Sequence, residues 1–209
     1  MAKISIKKLV LGELDTNVYL VFDEELKEAV IIDPADEPGK IMHAIHSLSL
    51  KPVAILLTHG HFDHMLAANF LKNYYKIPII SHIREKELLR NTVQNLSFEY
   101  DCTIRTFPDK YVKNNEIITL GGIDFKVIYT PGHTWGSCVY IIENEGVLFS
   151  GDTMFAGSCG RTDYPTGDVE DMKRSLRKLL RLREDMVVFP GHGDQTVIGI
   201  ERFYYQWSL

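Results

Sequence analysis

The stretch Thr58-His59-Gly60-His61-Phe62-Asp63-His64 places three imidazoles and a carboxylate within seven residues, directly behind the apolar run Val53-Ala54-Ile55-Leu56-Leu57. An apolar run bounded by polar punctuation reads as a buried strand, so these groups sit where a strand ends and the chain turns. His59 and His61 are two apart and can converge on one ion from an extended loop. Asp63 and His64 follow at the next turn and can point to a second. Neutral imidazole together with carboxylate suits Zn, Fe or Mn. The eight histidines of the chain are otherwise sparse, which argues against a chance cluster.

At 209 residues the chain is one large domain or two small ones, long enough to bury a substantial core. A hydrophobic content of 45% and a charged content of 24% are ordinary for a soluble globular protein. The net charge of −5 points to neither nucleic acid nor an anionic membrane as a partner. The start, Met1-Ala2-Lys3-Ile4-Ser5-Ile6-Lys7, alternates like a strand and lacks the apolar core of a signal peptide. No apolar run reaches the roughly 18 residues of a membrane span. Cys102, Cys138 and Cys159 are odd in number and form no CxxC, which implies a reducing compartment without a disulfide framework. A cytoplasmic location is the expectation.

The first third is β-rich, with strands expected over 4–10, 18–22 and 29–32. Asp33-Pro34 ends the third of these, since Pro cannot continue a central ladder. From Pro38 the apolar period turns helical through Ile41, Met42, Ile45 and Leu48. Residues 53–57 return to strand, giving a βαβ pattern. Ala67, Phe70, Leu71 and Tyr74 mark one face of a further helix. A short strand over 79–81 and a short helix over 84–90 follow. Residues 91–109 show little period and are expected to form a surface excursion near the site. Gly121-Gly122 between 117–120 and 123–129 reads as a tight hairpin, and 138–142 pairs with 147–149 in a second. Asp168 caps a helix whose apolar stripe is Met172, Leu176, Leu179 and Leu180. Residues 187–189 are a last core strand, and 198–207 a last helix. Two β-rich halves with interleaved helices imply an α/β fold of two sheets packed face to face, with helices outside.

Three further ligand candidates repeat the strand-end context. His133 lies in Thr130-Pro131-Gly132-His133-Thr134, Asp152 in Ser150-Gly151-Asp152-Thr153, and His192 in Pro190-Gly191-His192-Gly193. Each follows a strand candidate and has a Gly beside it. A lone His after Pro-Gly is usually a turn residue, and a lone Gly-Asp is usually just a turn. Their joint recurrence is what points to a site. His43 and His46 lie off their helix's apolar stripe, and His82 lacks partner spacing, so none of the three is included.

The motifs HGHFDH, PGHTWGS, SGDTMF and PGHG, in this order and separation, resemble the metallo-β-lactamase fold superfamily. The resemblance spans nearly the whole chain, including Asp33 and Thr16-Asn17-Val18-Tyr19-Leu20. It implies an αββα sandwich of two mixed β-sheets flanked by helices, with two divalent metal ions, Zn in the first place and Fe or Mn as alternatives, on one edge. His59, His61 and His133 would hold one ion and Asp63, His64 and His192 the other, with Asp152 bridging. Asp33 is implied as the acid that orients a ligand or its loop, with a plain helix-loop cap as the alternative. Within the superfamily, the stretch from Ser150 through Arg161-Thr162-Asp163-Tyr164-Pro165 resembles the glyoxalase II, or hydroxyacylglutathione hydrolase, group. The sequence stops soon after His192, so one domain over 1–209 is expected, without the C-terminal helical domain that completes a glutathione site in that group.

The activity implied is cleavage of a small thioester, S-lactoylglutathione or a related hydroxyacyl-thiol, by a hydroxide shared between the ions, with Asp63 and Asp152 the catalytic carboxylates. A thiolate leaving group, with a thiol pKa of about 8.5, needs little help from a general acid. Arg161 is the candidate for binding the thiol carrier's carboxylate, since its planar fork is bidentate; pairing with Asp163 in its own loop is the plainer alternative. Cys159 has no base partner in sequence and reads as structural or pocket-lining. An iron-dependent persulfide dioxygenase, a lactonase and a phosphodiesterase are the competing readings within the same fold. No nucleic-acid or membrane partner is expected, and a monomer or a homodimer is; the aromatic tail of Phe203, Tyr204, Tyr205 and Trp207 packs either at a dimer interface or on its own core.

Overall fold

In the computed structural model, which describes residues 3–205, the β-rich segments form two six-stranded mixed sheets. The first orders β1 (Ile4–Leu11), β2 (Thr16–Asp23), β3 (Glu28–Ile32), β4 (Lys51–Leu57), β5 (Ile79–His82) and β6 (Lys110–Val112) side by side. β1 to β3 form an antiparallel meander, and β3 to β6 are parallel. Parallel neighbours need a crossover. α1 (Pro38–Ser47) supplies it between β3 and β4, and α2 (Ala68–Tyr75) between β4 and β5.

The second sheet holds β7 (Ile117–Leu120), β8 (Ile123–Tyr129), β9 (Cys138–Ile142), β10 (Val147–Gly151), β11 (Val187–Pro190) and β12 (Thr196–Val197), also in spatial sequence. Only β10 and β11 run parallel, and α3 (Val169–Leu179) connects them. Asp168 accepts the Asp171 amide at 2.7 Å, the N-cap the sequence predicts for α3. α4 (Ile198–Tyr205) follows β12 directly.

Strand alternation sorts the core into three layers. Tyr19, Val21, Ile32 and Leu56 meet Phe125, Val127, Tyr140 and Phe149 between the sheets. On the outer face of the first sheet, Leu20, Ile31, Ile55 and Leu57 pack under Ile41, Ile45 and Leu71 of α1 and α2. On the outer face of the second, Val139, Ile141 and Leu148 pack under Met172, Leu176 and Leu179 of α3. Each of these large side chains contributes roughly 1.5–3 kcal/mol by burial. The central strands are apolar on both faces, which is why they read as continuous runs rather than alternations. The αββα sandwich is therefore the observed fold.

Several local expectations change. Residues 84–90 form two separate 3₁₀ turns, Ile83–Glu85 and Leu88–Arg90, not one helix. In α2 the inward residues are Ala68 and Leu71, with Ala67 just before, while Phe70 and Tyr74 are exposed and stack on each other. The short strands β6 and β12 carried no legible pattern. In α4, Tyr205 packs into the core whereas Phe203 and Tyr204 face outward; Trp207 of the expected tail, and Met1-Ala2 of the expected first strand, lie outside the described residues. No helix among the described residues is long and apolar enough to cross a membrane.

Candidate metal centre

The topology explains why ligand candidates meet. β3 and β4 run parallel, so Asp33 and the loop 58–64 leave the first sheet at the same edge. β8 and β10 are both antiparallel to β9, and β10 is parallel to β11. His133, Asp152 and His192 therefore leave the second sheet in one direction. Stitches across the sandwich hold the two edges together. The Cys138 amide donates to Thr58 O at 2.9 Å, the Asn17 amide to Gly191 O at 2.7 Å, and the Tyr140 hydroxyl to Leu57 O at 3.0 Å. Gly191 must be glycine here, because a Cβ would stand 2.1 Å from Asp152 Oδ1 and 2.7 Å from His64 Cε1.

All seven candidates come together at this edge. The nitrogens of His59, His61 and His133 lie within 4.8 Å of one another, as do the ligand atoms of Asp63, His64 and His192. Between the two groups sits Asp152. Its Oδ1 is 3.4 Å from His64 Nε2, and its Oδ2 is 3.5 Å from His133 Nε2 and 3.6 Å from His192 Nε2. Asp63 Oδ2 is 3.3 Å from both His64 Nε2 and His192 Nε2.

Outer partners set the tautomers. His133 Nδ1 lies 2.8 Å from Arg161 O, and His192 Nδ1 3.0 Å from Leu14 O. A carbonyl only accepts, so each Nδ1 carries a proton, and Nε2 is the atom each ring turns inward. Asp33 does the same for His64, with Oδ2 3.0 Å from Nδ1. It also accepts the Thr58 hydroxyl at 2.6 Å and the Thr58 amide at 2.8 Å. The Thr58 hydroxyl proton is thus used, and its oxygen is left to accept from His59 Nδ1 at 3.1 Å. Four imidazoles therefore turn Nε2 inward, while His61 turns Nδ1 to within 2.9 Å of His133 Nε2. Buried His59 Nε2 and Asp152 Oδ1 have no hydrogen-bond partner. Imidazole nitrogens turned toward one another, beside two carboxylates, fit divalent cations.

The electrostatics agree. Burial, then the neighbouring His64, His133 and His61, push His59 well below its ordinary value. Burial and His133 bring His61 down to about 3. Burial opposes charge on His64 as well, but Asp63, Asp152 and Asp33 outweigh it and raise that imidazole. Burial likewise opposes ionisation of Asp63 and Asp152, yet His64 and His192 keep both carboxylates below their ordinary range. The pocket stabilises positive charge at its centre.

A cleft of about 390 Å³ opens over these groups, walled by Leu14, Phe62, Leu96, Tyr100, Phe155 and Tyr164. The segment 91–109 contributes Leu96 and Tyr100 and anchors the loop through Asn95 O, which accepts the Phe62 amide at 3.0 Å. Arg161 lines the cleft too, held bidentate by Asp163 at 2.7 and 2.6 Å and stacked 4.3 Å over Tyr164. Both roles considered for Arg161 are thus compatible with its position. Cys159 does not line the cleft; it packs beside the core under α3 and α4. His43 and His46 are exposed, and buried His82 stacks on Tyr129 away from the cluster. Sequence reasoning assigned no role to Thr16, whose hydroxyl donates to Asp63 Oδ2 at 3.0 Å, or to Thr58 and Glu85. Thr16 and Thr58 stood in quoted motifs; nothing marked Glu85.

Comparison with known proteins follows the same lines. Hydroxyacylglutathione hydrolase GloC of Haemophilus influenzae is 37% identical over 190 residues, 89% of each chain. The crystal structure of the BLEG-1 B3 metallo-beta-lactamase superposes with a TM-score of 0.90 at 37% identity, covering 95% of this chain and 97% of that one. TTHA1623, solved in a di-iron-bound form, gives 0.84 at 34%, covering 93% and 96%. Residues 11–192 match the family model of the metallo-beta-lactamase superfamily. With the sandwich, the strand-end ligand set and these relatives in agreement, the chain belongs to the metallo-beta-lactamase superfamily.

Proposed function

We propose that this protein is a metal-dependent hydrolase of small thioesters, with a hydroxyacyl-thiol such as S-lactoylglutathione as the substrate class. The observation that carries the reading is the convergence of two nitrogen-rich groups on Asp152 beneath one open cleft. His59, His61 and His133 would hold one divalent ion and Asp63, His64 and His192 the other, with Asp152 shared. Bound there, such ions would supply hydroxide at neutral pH and charge to polarise a carbonyl. Asp63, fixed by Thr16, and Asp152 keep their charge and give the centre its fixed negative groups. Apolar and aromatic side chains wall the cleft, and Arg161 stands at the rim where a carboxylate of the thiol carrier would dock. With hydroxide as the attacking group no protein nucleophile is needed, and a thiolate with a thiol pKa of about 8.5 needs little help from a general acid to leave. The 37% identity to a hydroxyacylglutathione hydrolase supports this substrate class.

Zinc is the proposed metal, with iron or manganese the alternatives the same donor set admits; the di-iron form of TTHA1623 favours keeping iron in the comparison. The test is a panel of S-lactoylglutathione, other thioesters, a lactone, a phosphodiester and a persulfide, with metal content measured on the same sample. Thioester cleavage is expected to dominate and to vanish in His59→Ala and Asp152→Ala along with bound metal. Turnover retained by metal-depleted protein would refute the mechanism. Oxygen uptake on the persulfide by an iron-loaded sample would replace it with the dioxygenase reading.

A further inference from the structure

Glu85 is fully buried, has no basic partner among the described residues, and lies behind the metal centre without touching it. The 3₁₀ turn after β5 carries it between two loops. One is the loop that presents His59 and His61; the other begins at His133. Burial pushes the Glu85 carboxyl up to about 7; on the His133 side, the Thr134 hydroxyl, which donates to Oε1 at 2.6 Å, and the Gly136 amide pull against that and favour the charged form. Ser137 Oγ completes that corner, 2.6 Å from Thr134 Oγ1 and accepting the Thr134 amide at 3.2 Å. On the other side, Oε2 faces the backbone of Gly60, the residue between His59 and His61, and the Gly60 amide favours the carboxylate's charged form in the same way, from outside ordinary hydrogen-bond geometry.

The fit leaves no slack. A Cβ at Gly60 would stand 2.8 Å from Oε2 and 2.5 Å from Leu88 Cδ2, and one at Gly136 would stand 2.4 Å from Oε1. Both loops therefore press bare backbone against one carboxylate. A buried carboxylate without a cation is costly, and an apolar side chain would fill the space at less cost. What only a carboxylate offers here is acceptor capacity in two directions at once.

We propose that Glu85 is a positioning residue that fixes the spacing between the His59–His61 loop and His133, and so sets the affinity of those three imidazoles for a divalent ion. The inference rests on the metal-binding reading above. It gives the centre two separate anchors: Asp33 directly holds His64 and reaches His59 through Thr58, and Glu85 holds the backbone from which His61 and His133 project.

The test is a zinc titration of the full chain against a competing chelator, repeated with cobalt to follow each binding step by its absorption. Glu85→Gln keeps the shape but turns an amide donor toward donors. It is expected to weaken one step about 10–100-fold, the usual scale for an outer partner of a ligand, and to leave the other within about threefold. The weakened step should be the one that His133→Ala abolishes and His192→Ala spares. Thr134→Val, which removes a single hydroxyl donor, should weaken the same step about fivefold, and Thr134→Ser should restore it. That pair carries the test if Glu85→Gln does not fold. Two unchanged steps in folded Glu85→Gln would overturn the proposal. So would equal weakening of both steps together with a lower melting temperature of the metal-free protein, which is the signature of a general role in the core. Wild-type protein that binds no divalent ion would overturn the functional reading, and this inference with it.

Discussion

Asp33 Oδ2 stands 3.0 Å from His64 Nδ1 and 2.6 Å from Thr58 Oγ1, so one carboxylate orients an imidazole in each half of the centre. Asp33 does this from a left-handed conformation (φ 48°), a region Asp and Asn tolerate better than most residues. Asp33→Ala would leave the Thr58 amide and hydroxyl buried without an acceptor. The expected result is a loss of about 2–4 kcal/mol in urea unfolding and a drop of roughly 10–100-fold in metal affinity. Asp33→Asn keeps the backbone conformation and one acceptor, so it should fall between the two. Wild-type zinc affinity in Asp33→Ala would show that packing alone orients His64.

Arg161 is 57% exposed and already shaped by its own loop, with Asp163 holding the guanidinium and Tyr164 lying beneath it. A guanidinium so arranged is pre-organised for a carboxylate arriving from the cleft. Arg161→Ala is therefore expected to raise KM for a glutathione thioester about tenfold and leave kcat within about twofold, the pattern of lost uniform binding. Arg161→Lys should not restore KM, because a point charge lacks the fork. An unchanged KM in Arg161→Ala would assign the residue to loop structure alone.

Legibility followed the kind of signal each part left. The seven clustered residues were readable because ligand chemistry leaves rare residue types at strand ends beside Gly. The sandwich was readable because strands buried on both faces appear as apolar runs and α1 and α3 carry a helical stripe. α2 misled because Phe70 and Tyr74 share its period with Leu71 yet cover each other on the surface. The turns around Glu85 misled because two short 3₁₀ segments share a helix's composition. β6 and β12, at three and two residues, are too short to show any period. The roles of Glu85 and Thr58 were invisible for a different reason: they depend on contacts between segments far apart in sequence.

His82 makes stability depend on pH apart from the metal centre. It is buried against Tyr129, accepts the Arg84 amide on Nδ1 at 3.4 Å, and sits beside the Arg84 charge. Burial and Arg84 hold its pKa down at about 4. The folded state then binds fewer protons than the unfolded one between pH 6.5 and 4, so stability is fully present above about 6.5 and is lost as pH falls through that window. Replacing His82 with Phe keeps the stack on Tyr129 and removes the titration. In metal-free protein, the slope of unfolding free energy in this window should become shallower by up to about 1.4 kcal/mol per pH unit. A wild-type slope in His82→Phe would place the acid sensitivity elsewhere, with His59 and His61 the next groups to vary.

Removal of the metal should lower stability, because an ion that binds only the folded arrangement adds to it by mass action. In the folded chain the inward Nε2 atoms of His59, His64, His133 and His192 are pre-aligned by Thr58, Asp33, Arg161 O and Leu14 O, and no such alignment survives unfolding. At free zinc about a thousandfold above the dissociation constant, the expected gain is about 4 kcal/mol, or on the order of 8–16 °C in melting temperature for a chain of this length. Chelation should remove that increment and zinc should restore it. His59→Ala and Asp152→Ala should each forfeit much of it, while Cys159→Ala, which alters no candidate ligand, should keep it. A melting temperature indifferent to zinc in the wild-type chain would mean that the seven residues converge without holding an ion.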